Sequence, residues 1–329
     1  MFLEEENKHK FYISYKEYFF MKRKVIQLAK KTHVISLPSK WIKNFNIKKG
    51  DELDLEERGN SILIELKNQE TELKKMNINI DKFNEKTLKF VISALHKLGY
   101  DEITCYYENQ EIKKKLDVII PQILGFVSIE QTSKKTTLKS ISNEKESEFN
   151  PALRRNFLVT ITLAKSSLEM ISSKKFSELE SLRSLEKTNN QLTSFCLRII
   201  NKGIYKDQKH KQFLVIIIGS LGKIADDYKS IIIDLSENKE EIDKEILRTY
   251  EEVNNIFIFY YELFYNFSIE KINEVTDKDK ELNKKIKMLK SKTEEETKLI
   301  IQLSTILSKI IDLSTSIVAI NHESLRIKD

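Results

Sequence analysis

The strongest constraint on the fold is a helical pattern of apolar residues that continues from Asn150-Pro151 to about Ile320. The whole chain contains only three prolines and seven glycines, the residues that most often end helices and form turns. This scarcity argues against a turn-rich β architecture and favours long helices. We therefore predict about six helices of roughly 20 to 28 residues in this stretch, the first beginning at the proline.

An internal repeat divides this helical half. Residues 221–231, LGKIADDYKSI, and 307–317, LSKIIDLSTSI, share Leu, Lys, Ile, Asp, Ser and Ile at matching positions, with an offset of 307 − 221 = 86 residues. Two copies of one structural unit produce such a repeat. The pattern predicts a helical domain over 150–322 that contains a pair of three-helix bundles, at about 151–235 and 236–321.

A short unit with a different pattern precedes the helices at 21–68. Period-two alternation and turn residues predict four short strands and one helical turn in the order β-β-α-β-β. The first two strands are expected within 24–29 and 33–37, the helical turn at 40–46, and a hairpin at 52–57 and 61–66. Four short strands bury too little surface in a monomer, so exchange of hairpins between two chains is expected to complete the fold.

The remaining segments are a small α/β middle unit at 78–142 and an N-terminal arm at 1–20. The middle unit is predicted to contain two helices and three strands. The helices are placed at 85–98 and at 110–124, the second with an interruption near Pro121. The strands are placed at 102–107 and around Val127 and Leu138. The arm has mixed charge and no signal-peptide pattern. Either Met1 or Met21 remains open as the functional start.

Positive charge is concentrated between Lys22 and Gly50, which contains nine lysine or arginine residues and no acid, whereas the whole chain has a formal charge of +6. Such a cluster favours contact with nucleic-acid phosphates, because released counter-ions supply affinity. A solvated basic face is the alternative in so lysine-rich a chain. The candidate DNA contacts, to the phosphate backbone with low sequence selectivity, are Lys22, Arg23, Lys24, Lys30, Lys31 and Lys40.

The segment KVIQLAKKTHVISLPSKWIKNFNIKKGDELDLEERGNSILIEL resembles the AbrB/SpoVT swapped-hairpin DNA-binding family, in the variant found at the front of archaeal phosphate-uptake regulators. The residues that carry the resemblance are Arg23, the 34–38 strand with its Ser-Leu-Pro, Trp41, Ile47, Gly50 and Asp51. The resemblance implies a homodimer that binds DNA. The middle unit is similar to the insert that these proteins carry.

The repeated segments are similar to the two signature helices of the PhoU domain, in which a Glu and an Asp stand four residues apart. Asp226 and Asp312 match the Asp, whereas Gly222 and Ser308 replace the Glu. On a neighbouring helix only Glu186 matches an acid, since the residue four positions on is Asn190. A metal ion needs several oxygens at once, so we expect no metal and no cofactor, with occupancy of a degenerate site at Asp226 and Asp312 left open.

Other residue patterns argue against catalysis and against a membrane span. Cys105 and Cys196 lie far apart without metal-ligand spacing, which fits a reducing cytoplasm. His33, His210 and His322 show no metal spacing, and the chain contains no Walker loop, G-x-S-x-G elbow or dinucleotide fingerprint. Apolar runs are shorter than the about 20 residues of a membrane span. We expect a cytoplasmic protein that is not an enzyme and has no membrane insertion.

The sequence therefore predicts a DNA-binding transcriptional regulator of phosphate uptake. The alternatives are an interaction protein that modulates a phosphate transporter or its sensor through the bundles, with the β unit only dimerising, and a structural dimer without a ligand. An aromatic-rich segment is predicted to form bundle core plus a partner surface. Its members are Phe257, Phe259, Tyr260, Tyr261, Phe264, Tyr265 and Phe267.

Overall fold

The computed structural model describes residues 21–28, 31–66, 73–207, 209–238 and 241–326. The predicted arm at 1–20 lies outside the described residues, as does Lys30. The chain divides into two units between residues 72 and 73. The predicted order, a small β-rich unit followed by a mostly helical region, is confirmed.

The first unit contains two separate antiparallel hairpins joined by one short helix. Its elements are β1 (Ile26–Leu28), β2 (Thr32–Val34), α1 (Ser39–Asn44), β3 (Leu53–Arg58) and β4 (Ser61–Leu66). In the first hairpin Ile26 lies opposite Val34, and in the second Leu55 lies opposite Ile64. Neither hairpin pairs with the other among the described residues, so both have strand edges without a β partner.

The second unit begins with a four-stranded sheet in the order β5-β6-β8-β7, in which only β5 and β6 are parallel. The elements are β5 (Lys75–Asn79), α2 (Glu85–Lys97), β6 (Glu102–Tyr106), α3 (Gln110–Ile119), β7 (Phe126–Gln131) and β8 (Lys135–Ser140). Apolar residues of α2 and α3, such as Ile92 and Leu116, are buried with Ile103 and Leu138 of the central strands. This α/β layer has its own core.

Helices occupy the rest of the second unit. They are α4 (Phe149–Ser172), α5 (Arg183–Asn201), α6 (Lys211–Asn238), α7 (Lys244–Tyr265), α8 (Ile269–Met288), α9 (Glu294–Ile311) and α10 (Leu313–Ile320). The side chains of Asp243, Ser268 and Thr293 accept backbone N–H groups and fix the starts of α7, α8 and α9. Pro151 lies in the first turn of α4, where its missing N–H costs no hydrogen bond.

The helices pack in two groups of three around one continuous apolar core. Helices α4, α5 and α6 contact one another, and so do α7, α8 and α9. The groups are joined by contacts of α4 with α7 and of α6 with α9 and α10. Residues 221–231 lie on α6, whereas residues 307–317 span the end of α9 and the start of α10. The two copies therefore lie on helices that contact each other.

One segment of the described chain, Glu294–Ile320, is long and apolar enough to cross a membrane by length and composition, with a mean hydropathy of 1.5. It comprises α9 and α10. Leu303, Ile306 and Leu307 on its inner face are fully buried in the helical core. A core helix of a soluble protein has this composition, so the segment is consistent with a soluble protein.

Two details of the α/β layer differ from the sequence prediction. Strand β5 was not predicted, although Met76 and Ile78 alternate with polar residues at the period of a strand. Helix α3 ends at Ile119 and continues only as a 3-10 turn, Ile120–Gln122, because Pro121 has no N–H to donate to a longer helix.

Candidate nucleic-acid interface

The turn between β3 and β4 and the short helix α1 of the first unit follow from their sequences. Gly59 adopts a positive φ of 61°, which allows the tight turn between β3 and β4. In α1, Trp41 and Phe45 are one turn apart and their ring centroids lie 5.8 Å from each other. The backbone N–H of Ile42 donates to the carbonyl of Pro38, so the proline sits at the start of the helix.

This unit has no core of its own. None of its described residues with an assigned burial is fully buried. Large apolar side chains are instead exposed on both hairpins and on α1. They are Val25, Ile26, Leu28, Ile35, Phe45, Leu55 and Ile62, with exposed fractions from 41% to 66%. An isolated hairpin is marginal in water, so this unit requires a partner that covers these side chains.

The structure describes five of the six candidate DNA contacts, Lys22, Arg23, Lys24, Lys31 and Lys40, and all five are exposed. The first three precede β1, next to the end of the hairpin at which Ile26 pairs with Val34. Strand β2 ends at Val34, at that same end of the hairpin, and α1, which carries Lys40, begins five residues later at Ser39. Lys31 immediately precedes β2 and lies at the opposite end of the hairpin, so the structure does not bring all five together in one chain.

Sequence reasoning left out one basic residue of α1. Lys43 is exposed and lies three residues after Lys40, so the two side chains share one side of the helix. Lys48 and Lys49 are also exposed, just before β3. The acid-free segment between Lys22 and Gly50 could have indicated these residues, because the charge argument for phosphate contacts applies equally to every basic residue in it.

The second hairpin has the opposite charge. Asp51, Glu52, Asp54, Glu56 and Glu57 follow the acid-free run directly, and all are exposed. The unit therefore separates a basic hairpin and helix from an acidic strand along its sequence. Phosphate groups would be attracted to the first part and repelled by β3, which limits the orientations in which the unit can approach DNA.

The acids of the helical region are held by lysines. Lys229 Nζ lies 2.6 Å from Oε1 of Glu186 and 3.1 Å from Oδ1 of Asp226. Asn190 Nδ2 also donates to Glu186, over 2.7 Å. Burial lowers the pKa of Lys229, but the hydrogen bond and charge of Glu186 outweigh it, so the pKa is raised above its ordinary value. A lysine ammonium thus provides the positive charge between these two carboxylates.

The second repeat does not reproduce this arrangement. Asp312 is exposed, whereas Lys309 Nζ lies 2.6 Å from Asp227 on α6. Lys309 is therefore part of an ion pair between the two repeat-bearing helices. In the first repeat, a Cβ placed on Gly222 would lie 3.5 Å from Thr193 Cγ2, which is an ordinary packing distance. Gly222 therefore faces Thr193 of α5.

The aromatic-rich segment is divided between core and surface. Phe257 and Tyr260 are fully buried, whereas Tyr265 is 41% exposed. Phe157 of α4 contacts the segment, with its ring centroid 5.3 Å from that of Phe264 and 5.7 Å from that of Tyr261. Most of these rings therefore join the two groups of helices, and a smaller part reaches the surface.

Comparison with known proteins gives one match. Residues 28–72 match the family described as "Antidote-toxin recognition MazE, bacterial antitoxin". No curated protein and no solved structure matches the chain. The match and the β-rich fold fit a MazE/AbrB-like swapped-hairpin domain, a kind of domain that typically dimerises and binds DNA. They indicate a DNA-binding or antitoxin-type regulator.

Proposed function

We propose that this chain is a cytoplasmic, homodimeric transcriptional regulator of phosphate uptake that binds DNA through residues 21–68 and is not an enzyme. The observation that carries the DNA part is the exposed, acid-free basic segment on a unit that has no core of its own. A second copy that covers the exposed apolar side chains also doubles the basic segment. The expected contacts are to phosphate oxygens, which give affinity with little sequence selectivity.

The dimer also accounts for the separated positions of the candidate contacts. Lys31 lies at the far end of the hairpin from Lys22, Arg23 and Lys24 in one chain. In a twofold dimer each end of one hairpin has a counterpart from the other chain, so residues from both ends can contribute to one surface. We expect the DNA surface to combine both copies.

Regulation of phosphate uptake is proposed for the helical region. Its support is the resemblance of residues 221–231 and 307–317 to the PhoU signature, together with the packing of six long helices in two groups of three. The ammonium of Lys229 between Glu186 and Asp226 supports regulation through protein contacts rather than through a metal cluster on that face. Archaeal phosphate-uptake regulators are the class that this combination resembles.

The experiment compares DNA retention by the full chain and by a chain that lacks residues 1–68, using gel shift and heparin chromatography. We expect loss of both interactions in the shortened chain. Equal retention by the two proteins would contradict the DNA part. Transcripts of phosphate transporters, measured with the gene present and deleted under phosphate starvation and excess, test the phosphate part, which fails if they do not change.

A second candidate is an interaction protein that binds a phosphate transporter, its sensor or a toxin, with the β unit serving for dimerisation. Two observations favour it. The family that matches residues 28–72 is a family of antitoxins, and an open cavity of about 440 Å³ lies between α7 and α8. Its lining includes Phe259 and Leu282 among charged residues, a mixture suited to a protein partner. Unchanged DNA affinity after removal of the basic side chains, described below, would favour this candidate.

A further inference from the structure

Two histidines that are distant in sequence meet at one end of the helical region. His210 immediately precedes α6, and His322 follows the end of α10 at Ile320. Their ring centroids are 6.0 Å apart, with the ring planes inclined by 60°. Their spacing along the chain fits no metal-binding motif, so sequence analysis did not pair them. The contact of α6 with α10 produces the pair.

Hydrogen bonds fix the same nitrogen as the donor in both rings. His322 Nδ1 lies 3.0 Å from the carbonyl oxygen of Ala319, which can only accept, so Nδ1 carries the proton. His210 Nδ1 lies 2.7 Å from Oδ2 of Asp207, a carboxylate that accepts at neutral pH. In the neutral form of each ring, the lone pair is therefore on Nε2, the nitrogen available to a metal ion.

Asp207 is itself held in place. Its other oxygen, Oδ1, accepts the backbone N–H groups of Lys209 over 3.0 Å and of His210 over 3.4 Å. A carboxylate or carbonyl on the second nitrogen is the arrangement that orients histidine ligands in metal sites and raises their basicity. Both histidines have such a partner.

The available nitrogen of His210 has no use elsewhere in the described part of the chain. Its Nε2 is buried and has no hydrogen-bond partner there. Buried polar atoms in proteins are mostly paired with protein, water or an ion, so this nitrogen, next to a second imidazole, can accept a ligand. His322 is exposed, which leaves its ring able to turn and admit an ion.

The separation of the rings suits a shared ion. With metal–nitrogen bonds of about 2.0 to 2.1 Å at a tetrahedral angle, two imidazole centroids lie about 5 Å apart. The observed 6.0 Å exceeds this by about 1 Å, a difference that a small shift of the exposed His322 ring can close while its Nδ1 keeps the hydrogen bond to Ala319. Among the described residues, no group of three or more His, Cys, Asp or Glu side chains is placed to hold a metal, so water would have to supply the remaining ligands of a shared ion.

We propose that Nε2 of His210 and Nε2 of His322 bind one divalent transition-metal ion of the copper, nickel or zinc class. Imidazole ligands suit these ions, whereas calcium and magnesium prefer oxygen. The ion links the start of α6 to the segment after α10. This site is separate from the carboxylates at Asp226 and Asp312 and does not depend on the proposed function.

The test is equilibrium dialysis of the full chain against Cu²⁺, Ni²⁺ and Zn²⁺ in turn, with metal analysis and electron paramagnetic resonance of the Cu²⁺ form. We expect one ion per chain and a Cu²⁺ signal split by two imidazole nitrogens. His322→Ala and His210→Gln should each abolish stoichiometric binding. His33→Ala, which removes an exposed strand histidine, is the matched control and should bind as the unchanged chain does.

Replacement of Asp207, whose carboxylate orients His210, gives a second test in which affinity should be reduced and not abolished. Asp207→Asn should keep the stoichiometry and lower affinity by about 10- to 100-fold, the usual effect of losing such a partner. His322 is exposed, so its replacement should leave the circular-dichroism spectrum and thermal unfolding of the metal-free chain unchanged. Stoichiometric binding that survives in His322→Ala, or absence of binding in the unchanged chain for all three ions, would overturn the proposal.

Discussion

Arg198 of α5 donates from Nε to Oε1 of Glu144 across 2.7 Å, and its side chain is completely buried. The same guanidinium reaches Asp101 through Nη2 at 2.7 Å and the carbonyls of His96 and Tyr100 through Nη1. Asp101 and Glu144 belong to the α/β layer and the segment that follows it. This arginine therefore links that layer to the helices within the second unit, together with the neighbouring Lys202.

Replacement of this arginine should be strongly destabilising. Arg198→Met removes the buried guanidinium that both carboxylates contact and leaves only the ammonium of Lys202 beside them. Breaking a buried ion pair in this way costs about 3 to 5 kcal/mol. The matched control is Arg183→Met, which removes a surface pair with Glu180 at 2.9 Å and should cost only about 0 to 1 kcal/mol. Urea unfolding followed by circular dichroism measures both. Equal losses for the two variants would contradict the role of Arg198.

The same ion pair predicts a pH dependence of stability. Burial raises the pKa of Glu144, but hydrogen bonds from Arg198, Ser142 and Lys202 and the charge of Arg198 outweigh it and lower the pKa from 4.5 to about 2. Because the folded pKa lies below the unfolded one, the stabilising contribution is complete above about pH 4.5. It is lost as the pH falls towards 2.

Glu144→Gln should remove this part of the pH dependence. The free energy of unfolding, measured by urea titration between pH 5 and pH 2, should fall less steeply for the variant than for the unchanged chain. Other carboxylates titrate in both proteins, so the difference between the two curves belongs to Glu144. Parallel curves would show that Glu144 does not titrate with a lowered pKa.

Dimerisation should depend on the exposed apolar side chains of the first unit. Ile62 on β4 is 60% exposed, so Ile62→Asp should convert the full chain from dimer to monomer by placing a charge in the covered surface. Ile301 on α9 is also 60% exposed, and Ile301→Asp is the matched control that should remain a dimer. Light scattering with size-exclusion chromatography at micromolar concentration decides between these outcomes. A monomeric unchanged chain would defeat the prediction.

Local patterns were sufficient to predict most elements of the fold. Strand β4 was predicted at the observed bounds, because Gly59-Asn60 marks the turn and the apolar residues of 61–66 are β-branched or leucine. The long helices followed from periodicity and the lack of proline. The interruption between α9 and α10 at Asp312 was not predicted, since the apolar period continues across it.

Contacts between distant segments could not be predicted in this way. Arg198 lies in a segment with the apolar periodicity of a helix, and no residue near it in the sequence indicates that its side chain is buried against Glu144. His210 and His322 lie 322 − 210 = 112 residues apart and meet only because α6 and α10 pack together. Lys229 was likewise not linked to Glu186. Such pairs are set by packing, which periodicity within one element does not encode.

The central claim is that the acid-free segment binds DNA phosphates. The most direct test is the salt dependence of full-chain affinity for duplex DNA, measured by fluorescence anisotropy. With about six phosphates neutralised, the slope of log affinity against log salt should be near −5. Replacing Arg23, Lys24 and Lys31 together by alanine should lower affinity and flatten the slope to roughly half. The matched control replaces Lys187, Lys284 and Lys287, three exposed lysines of the helical region, and should leave the slope unchanged. Equal slopes and affinities for the unchanged chain and the first triple variant would contradict the account.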